Sequence, residues 1–181
     1  MKAIRTREPA GISGLAYEEA PDPAPMIGDV LVKVAACGIT HNELDWPLRT
    51  CRNGHRRDSI IPGQEVSGVV TALGMGTAGI AIGDEVFGLT DPYRDAAAAE
   101  YVAVEARNLA PKPQAVDHVH DIRKVFFIQE ASNTQLTELA RLVGKGHLRP
   151  QVGGVYPLPD AVRAYTAKAA GGIPGRIVLQ P

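Results

Sequence analysis

Cysteine is scarce, with two in 181 residues, Cys37 and Cys51. Two thiols in unlike surroundings, outside any CxxC, build neither a disulfide framework nor a metal site of that type. A reduced, intracellular setting is the expectation. A surplus of one charge is missing as well: 19 Lys and Arg stand against 20 Asp and Glu, for a formal net charge of -1. That balance leaves no electrostatic footprint for nucleic acid. The one basic cluster, Arg49 to Arg57, carries the Gly and Asn of a solvated loop. No apolar run approaches membrane-spanning length, and Met1 to Arg5 lacks the apolar core of a signal peptide. These absences point to a soluble, cytoplasmic protein with neither nucleic acid nor membrane as partner.

What is present suits a packed core, since 45% of the residues are hydrophobic and the length fits one domain or one domain with an appendage. Met1 to Arg5 and Leu15 to Glu19 read as short strands around the Pro9-Ala10-Gly11 turn, and the prolines of 21–25 exclude regular structure after them. Asp29 to Ile39 is the best strand in the chain. Val30, Val32 and Val34 share one face, while Leu31 breaks the alternation as a strand buried on both faces would. Thr40 to Trp46 begins with a capping residue and carries an acid three positions on, which predicts a short helix stopped by Pro47. A polar loop over 48–59 follows.

From Ile60 to Gly88 the pattern is two strands around a glycine-rich turn, with β-branched residues at 66–71 and again at Ile80-Ala81-Ile82. The turn, Gly74-Met75-Gly76-Thr77-Ala78-Gly79, is a literal GxGxxG. That fingerprint holds a dinucleotide only when a helix follows it and offers its N-terminus to the pyrophosphate. The next residues are too rich in Gly and β-formers for a helix, so a hairpin turn is expected. Asp91 to Asp95 is a turn, Tyr101 to Val104 a strand, and Pro111 and Pro113 close that part of the chain. Ser132-Asn133-Thr134-Gln135 then starts a helix with Leu136, Leu139, Ala140 and Val143 on one face, and Gly144 or Gly146 can end it. Pro159 to Ala170 is a second helix, and Gly175 to Leu179 a last strand.

Pro62-Gly63-Gln64-Glu65, Gly68-Val69-Val70 and Gly83-Asp84-Glu85-Val86-Phe87-Gly88, in that order, resemble the catalytic domain of the medium-chain dehydrogenase/reductase superfamily, which includes zinc alcohol dehydrogenases and quinone oxidoreductases. The resemblance implies a mainly β fold with a few helices, a GroES-like β-barrel. In that superfamily a cofactor domain of βαβ units, each of about 30 residues, follows the first part of the barrel. Here Asp117 to Asp121 runs directly to Val125-Phe126-Phe127-Ile128. The expected organisation is therefore residues 1–116 as the first part of the barrel domain, 117–124 as a junction in place of the absent Rossmann domain, and 125–181 completing the same domain.

The resemblance also locates candidate chemistry. Zinc alcohol dehydrogenases bind metal through a Cys and a His at positions that here hold Thr40 and Gln64, a hydroxyl and a neutral amide that replace thiolate and imidazole poorly. No metal is expected, and the segment from Thr40 is closer to the zinc-free quinone-oxidoreductase branch. Thr40, His41, Asp45 and Glu65 are the candidate catalytic groups. Trp46, Gln64 and Tyr93 are the candidate ligand-binding residues. Each also has a structural reading: Asp45 as a helix-surface acid, Glu65 as a buried hydrogen-bond partner for the backbone, Tyr93 as a turn aromatic, Trp46 as core. Cys37 reads as a small core residue, and His118 with His120 as part of a solvated junction.

Because a nicotinamide cofactor is held largely through its pyrophosphate and ribose, no cofactor is expected for this chain. The functional expectation is a small organic ligand in the former active-site cleft, with cofactor-independent cyclisation, isomerisation or elimination as its chemistry. The alternatives are a non-catalytic dimeric module and an inactive deletion product of an oxidoreductase. In the superfamily the strand matching Val125 to Ile128 lies at a sheet edge, and an apolar edge with two phenylalanines must be paired or covered. A two-fold homodimer through this strand is expected. Sedimentation should then give a dimer, and Phe126→Asp a monomer; a monomeric wild type would dispose of the dimer.

Overall fold

The computed structural model describes residues 1–6, 11–40, 43–45, 51–52, 55–57, 59–113 and 132–181. The strands are β1 (Lys2–Thr6), β2 (Leu15–Glu19), β3 (Asp29–Ile39), β4 (Cys51–Arg52), β5 (His55–Arg56), β6 (Glu65–Leu73), β7 (Glu85–Leu89), β8 (Tyr101–Glu105), β9 (Leu109–Pro111), β10 (Val152–Pro157) and β11 (Arg176–Gln180), with helices α1 (Asn133–Gly144) and α2 (Ala161–Ala170). The fold is mainly β, as expected. Its main sheet runs β10-β11-β3-β6-β7-β9, with β8 also on β3, while β1-β2 and β4-β5 are separate antiparallel pairs.

β3 is the hub. One edge pairs with β6 along its length, while the other edge is shared by β8 on Asp29–Lys33 and β11 on Cys37–Ile39. This division explains the mixed sequence pattern. Val30, Val32 and Val34 are buried and Lys33 is exposed in the first half, whereas Ala36 to Ile39 are buried without interruption where β11 joins. Register shifts between Leu31 and Val32 and between Val34 and Ala36 bend the β3-β6 pair, which is how a sheet is turned toward closure. Gly68 sits inside this pair, and a Cβ there would stand 2.2 Å from the Lys33 carbonyl oxygen.

The expected strand at Ile80-Ala81-Ile82 is a turn instead, and the second strand of the pair starts at Glu85. Ile82 is exposed, the Ala81 N–H donates to the Asp84 carboxylate at 2.8 Å, and Gly83 takes a φ of +93°. The bond from Ala81 to the Asp84 side chain holds a turn in which Ile80 still packs against the core while Ile82 is left exposed, so side-chain bonding to the backbone outweighs β propensity here. The short helix expected from Thr40 appears as a single 3-10 turn, Glu43–Asp45, among the described residues.

Both C-terminal helices form where the periodicity places them. Ser132 caps α1, its hydroxyl accepting from the Gln135 N–H. Ala140 and Val143 of α1 are buried, and Ala140 packs with Phe87 and Ala110. α2 is alanine-rich, a strong local signal, and its buried Ala161, Ala164 and Tyr165 lie one turn apart on the core side. β10 and β11 are parallel, and α2 lies between them in sequence. This unit has Pro157-Leu158-Pro159-Asp160 between strand and helix, not a glycine-rich phosphate turn. No helix among the described residues is long and apolar enough to cross a membrane.

Asp29 pins the start of β3. Its side chain is almost fully buried, accepts two bonds from Arg94 at 3.0 and 2.6 Å, and accepts a third from the Met26 N–H at 3.0 Å. Burial by itself would push this carboxyl up; the Arg94 guanidinium and the Met26 amide outweigh it and hold the group below its ordinary value of 3.8. A carboxylate depressed in the fold contributes stability above its ordinary value and loses it as pH falls through the folded one. Asp29→Asn, which leaves Arg94 without its buried counter-charge, should cost about 3 kcal/mol at pH 7 in urea denaturation. The gap between variant and wild type should narrow below about pH 4, and a gap independent of pH would count against this role.

Candidate functional site

The Pro62-Gly63-Gln64-Glu65 segment that carries the resemblance has a steric basis in the fold. Gly63 has a φ of +92°, and a Cβ on it would lie 2.2 Å from the Cys37 sulfur and 3.0 Å from the Ala98 nitrogen. Only glycine lets this turn lie on the buried thiol. Cys37 is fully buried, in keeping with a core role. The four alanines 96–99 thread the same region: the Ala96, Ala97 and Ala98 N–H groups donate to the carbonyls of Ile61, Gly63 and Pro62 at 2.8–2.9 Å.

A cleft of about 140 Å³ opens nearby, between the 3-10 turn Gly11–Gly14, the end of β3 and α2. Thr40, Glu43, Leu44 and Asp45 form one wall, Tyr165, Lys168 and Ala169 of α2 another, and Gly11 with Ile12 the third. Of the sequence candidates, Thr40 and Asp45 line this cleft. His41 and Trp46 lie outside the described residues, as do 114–131 with His118, His120 and the Val125–Ile128 strand.

Gln64, Glu65 and Tyr93 are not part of the cleft's lining. Gln64 is buried, and its carbonyl accepts from the Thr90 N–H and hydroxyl at 2.8 and 3.3 Å. Tyr93 sits in the 91–94 turn, where its N–H donates to the Asp91 carboxylate at 2.8 Å. Glu65 is buried and forms an ion pair with Arg176. Tyr93 stands in a turn, while the buried Glu65 is partnered by a side chain, Arg176, where a backbone partner was expected.

Arg176, on β11, is the basic centre of this interior. It bonds Glu65, and its other terminal nitrogen donates to the Ile39 carbonyl at 3.3 Å. Burial pushes the guanidinium down to about 10, against the opposing pull of Glu43 and Cys37. Glu43 is itself fully buried and accepts a hydrogen bond from the Tyr165 hydroxyl. Sequence reasoning did not single out Glu43, Tyr165, Lys168 or Arg176. The only prior signal was an acid three residues after Thr40, which was used there to predict a helix start.

The zinc and dinucleotide groups of the resembling enzymes can be tested against these residues. Thr40 and Gln64 offer a hydroxyl and an amide, a donor set that does not fit Zn²⁺. Among the described residues no three His, Cys, Asp or Glu side chains are grouped to hold a metal. The Gly74–Gly79 turn is committed to the barrel: the Gly74 N–H donates to the Asp29 carbonyl at 2.8 Å, and the Met75 carbonyl accepts from Gly28 at 2.9 Å. A Cβ at Gly74 would stand 1.8 Å from the Met26 carbonyl oxygen. No helix follows to receive a pyrophosphate.

Comparison with known proteins agrees with this architecture. Residues 26–114 match the alcohol dehydrogenase GroES-like domain. A chloroplastic quinone-oxidoreductase QR1 of Triphysaria versicolor is 31% identical over 112 residues, 59% of this chain and 32% of that protein. An alcohol dehydrogenase of Geobacillus stearothermophilus is 34% identical over 89 residues, 46% of this chain and 24% of its own length. The chain thus spans about a third or less of these relatives. Among solved structures, the quinone oxidoreductase from Coxiella burnetii superposes with a TM-score of 0.85 at 14% identity, covering 100% of this chain and 99% of that one. An NAD-dependent alcohol dehydrogenase gives 0.81 at 17%, covering 100% of both chains. At such identities the likeness is one of fold. Residues 26–114 are thus an alcohol dehydrogenase GroES-like domain, and the barrel built on them shares the fold of these oxidoreductases.

Proposed function

We propose that this GroES-like domain binds a small organic ligand in the cleft between Thr40–Asp45 and α2, and that it does not transfer hydride by itself. The observation that carries the reading is the composition of that cleft. Ile12, Leu44 and Ala169 supply apolar surface, and Thr40, Asp45 and Lys168 supply polar groups of three kinds around about 140 Å³. An apolar pocket with a few convergent polar groups is the usual form of a small-molecule site. The relatives named for alcohols and quinones make a compound bearing a hydroxyl or carbonyl on a compact carbon frame the class to try first. Nicotinamide cofactors are expected to bind weakly, because the GxGxxG turn is held against β3 and leads into no helix.

A homodimer through Val125–Ile128 is a separate part of this proposal, resting on the apolar sequence of that segment. It does not depend on the ligand.

Titration of the full chain with benzyl alcohol and with cyclohexanone, followed by amide chemical shifts, should move the signals of Thr40, Leu44 and Ala169. Ala169→Trp, which fills the cleft from an exposed helix position, should abolish those shifts with little change in thermal stability. NADPH should show no saturable binding tighter than about 1 mM. Absence of any shift at the cleft with either probe, or micromolar NADPH affinity, would overturn the reading.

A further inference from the structure

Building on the binding role just proposed for the cleft, we propose that Tyr165, backed by Glu43, is a proton-transfer pair acting on the carbon beside a carbonyl group, so that the ligand class is a small enolisable ketone or aldehyde. The arrangement divides the lining into two chemistries. Thr40 on one wall and Lys168 on the other are hydroxyl and ammonium donors suited to a carbonyl oxygen, the ammonium carrying three N–H bonds of which one is directed to the Gly175 carbonyl at 3.3 Å. Tyr165 lies one turn before Lys168 on α2, and its hydroxyl donates to the Glu43 carboxylate. Both members of this pair line the cleft, yet Tyr165 is 4% exposed and Glu43 0%. Water is therefore kept from the carboxylate, and in the proposed pair the phenol oxygen is the atom through which it acts on a ligand.

The step balances without a redox partner. The Tyr165 oxygen takes a proton from the carbon next to the carbonyl while its own proton passes to Glu43. The C–H electron pair becomes the carbon–carbon π bond of an enolate, and the carbonyl π pair moves onto the oxygen held by Thr40 and Lys168. Return of the proton to the same carbon regenerates the ketone, and return to another carbon of the enolate system isomerises it. Asp45, another of the candidate acids, is exposed on the same wall and has no such hydroxyl relay among the described residues. Glu65 is occupied by Arg176.

Cyclohexanone in D₂O, followed by the loss of its α-proton signals, reads this chemistry directly. The full chain should accelerate exchange over buffer by about 100-fold or more, the range of positioned acid–base groups. Tyr165→Phe and Glu43→Gln should each lose nearly all of that acceleration while cyclohexanone still shifts the Leu44 and Ala169 amides. Glu43→Asp, which keeps an acceptor for the phenol proton, should recover part of it, a rescue that a merely structural role would not produce. Should Glu43→Gln fail to fold, Tyr165→Phe and Glu43→Asp decide the matter. Binding of cyclohexanone with exchange at the buffer rate, or unchanged exchange in Tyr165→Phe, overturns the proton-transfer role and leaves the binding role intact. Absence of binding overturns the binding role itself.

Discussion

The pairing of β11 with the second half of β3 is the constraint on which the rest of the molecule depends. It places Ile177, Val178 and Leu179, all fully buried, against Cys37, Gly38 and Ile39 from the far end of the chain. Burying each aliphatic side chain stabilises the closure by about 1.5–3 kcal/mol. The closure entropy of the long intervening chain grows only by about 0.6 kcal/mol per doubling of length. Three such burials outweigh the added cost of lengthening the intervening chain, so the two ends of the sequence can meet across a long separation. The same pairing carries Arg176 to Glu65 and delivers α2 to the turn at Glu43–Asp45.

Ionisable groups in this interior follow from that closure. Asp29 with Arg94 fastens the start of β3, and Glu65 with Arg176 fastens its end to the last strand. Buried pairs of this kind add little net stability over an apolar packing, but removing one partner strands a charge at a cost of several kcal/mol. They therefore act as register markers, since a slip of one residue along β3 would separate each carboxylate from its guanidinium. Glu43 is the third buried acid, with a tyrosine hydroxyl for its partner. It stands beside the cleft and not between strands, which is why chemistry is assigned to it and fastening to the other two.

The glycine-rich turn shows how a motif acquires its meaning from its neighbours. Gly74 to Gly79 spells a dinucleotide fingerprint, but its amides and carbonyls bond Asp29 and Gly28, and Gly74 is required because Met26 leaves no room for a side chain. The same residue types that cradle phosphate before a helix here let two barrel turns touch.

Sequence by itself determined the strands at the two ends, the hub strand Asp29–Ile39, both C-terminal helices, and the likeness to the barrel family. Each is written in local periodicity, capping and propensity. The family rests on a linear motif whose glycines answer nearby steric demands. Thr40 and Asp45 were legible as cleft residues only through the resemblance of their segment to the quinone-oxidoreductase branch, and both line the cleft. Tertiary structure alone decided that Glu65 faces Arg176 and not the cleft, that the isoleucines at 80 and 82 turn instead of pairing, and that Tyr165 and Lys168 complete the site. Those outcomes depend on contacts between residues more than a hundred positions apart in the case of Glu65, Glu43, Tyr165 and Arg176. A local pattern carries no record of which distant side chain will arrive opposite it, because that is set by the burial that closes β11 onto β3.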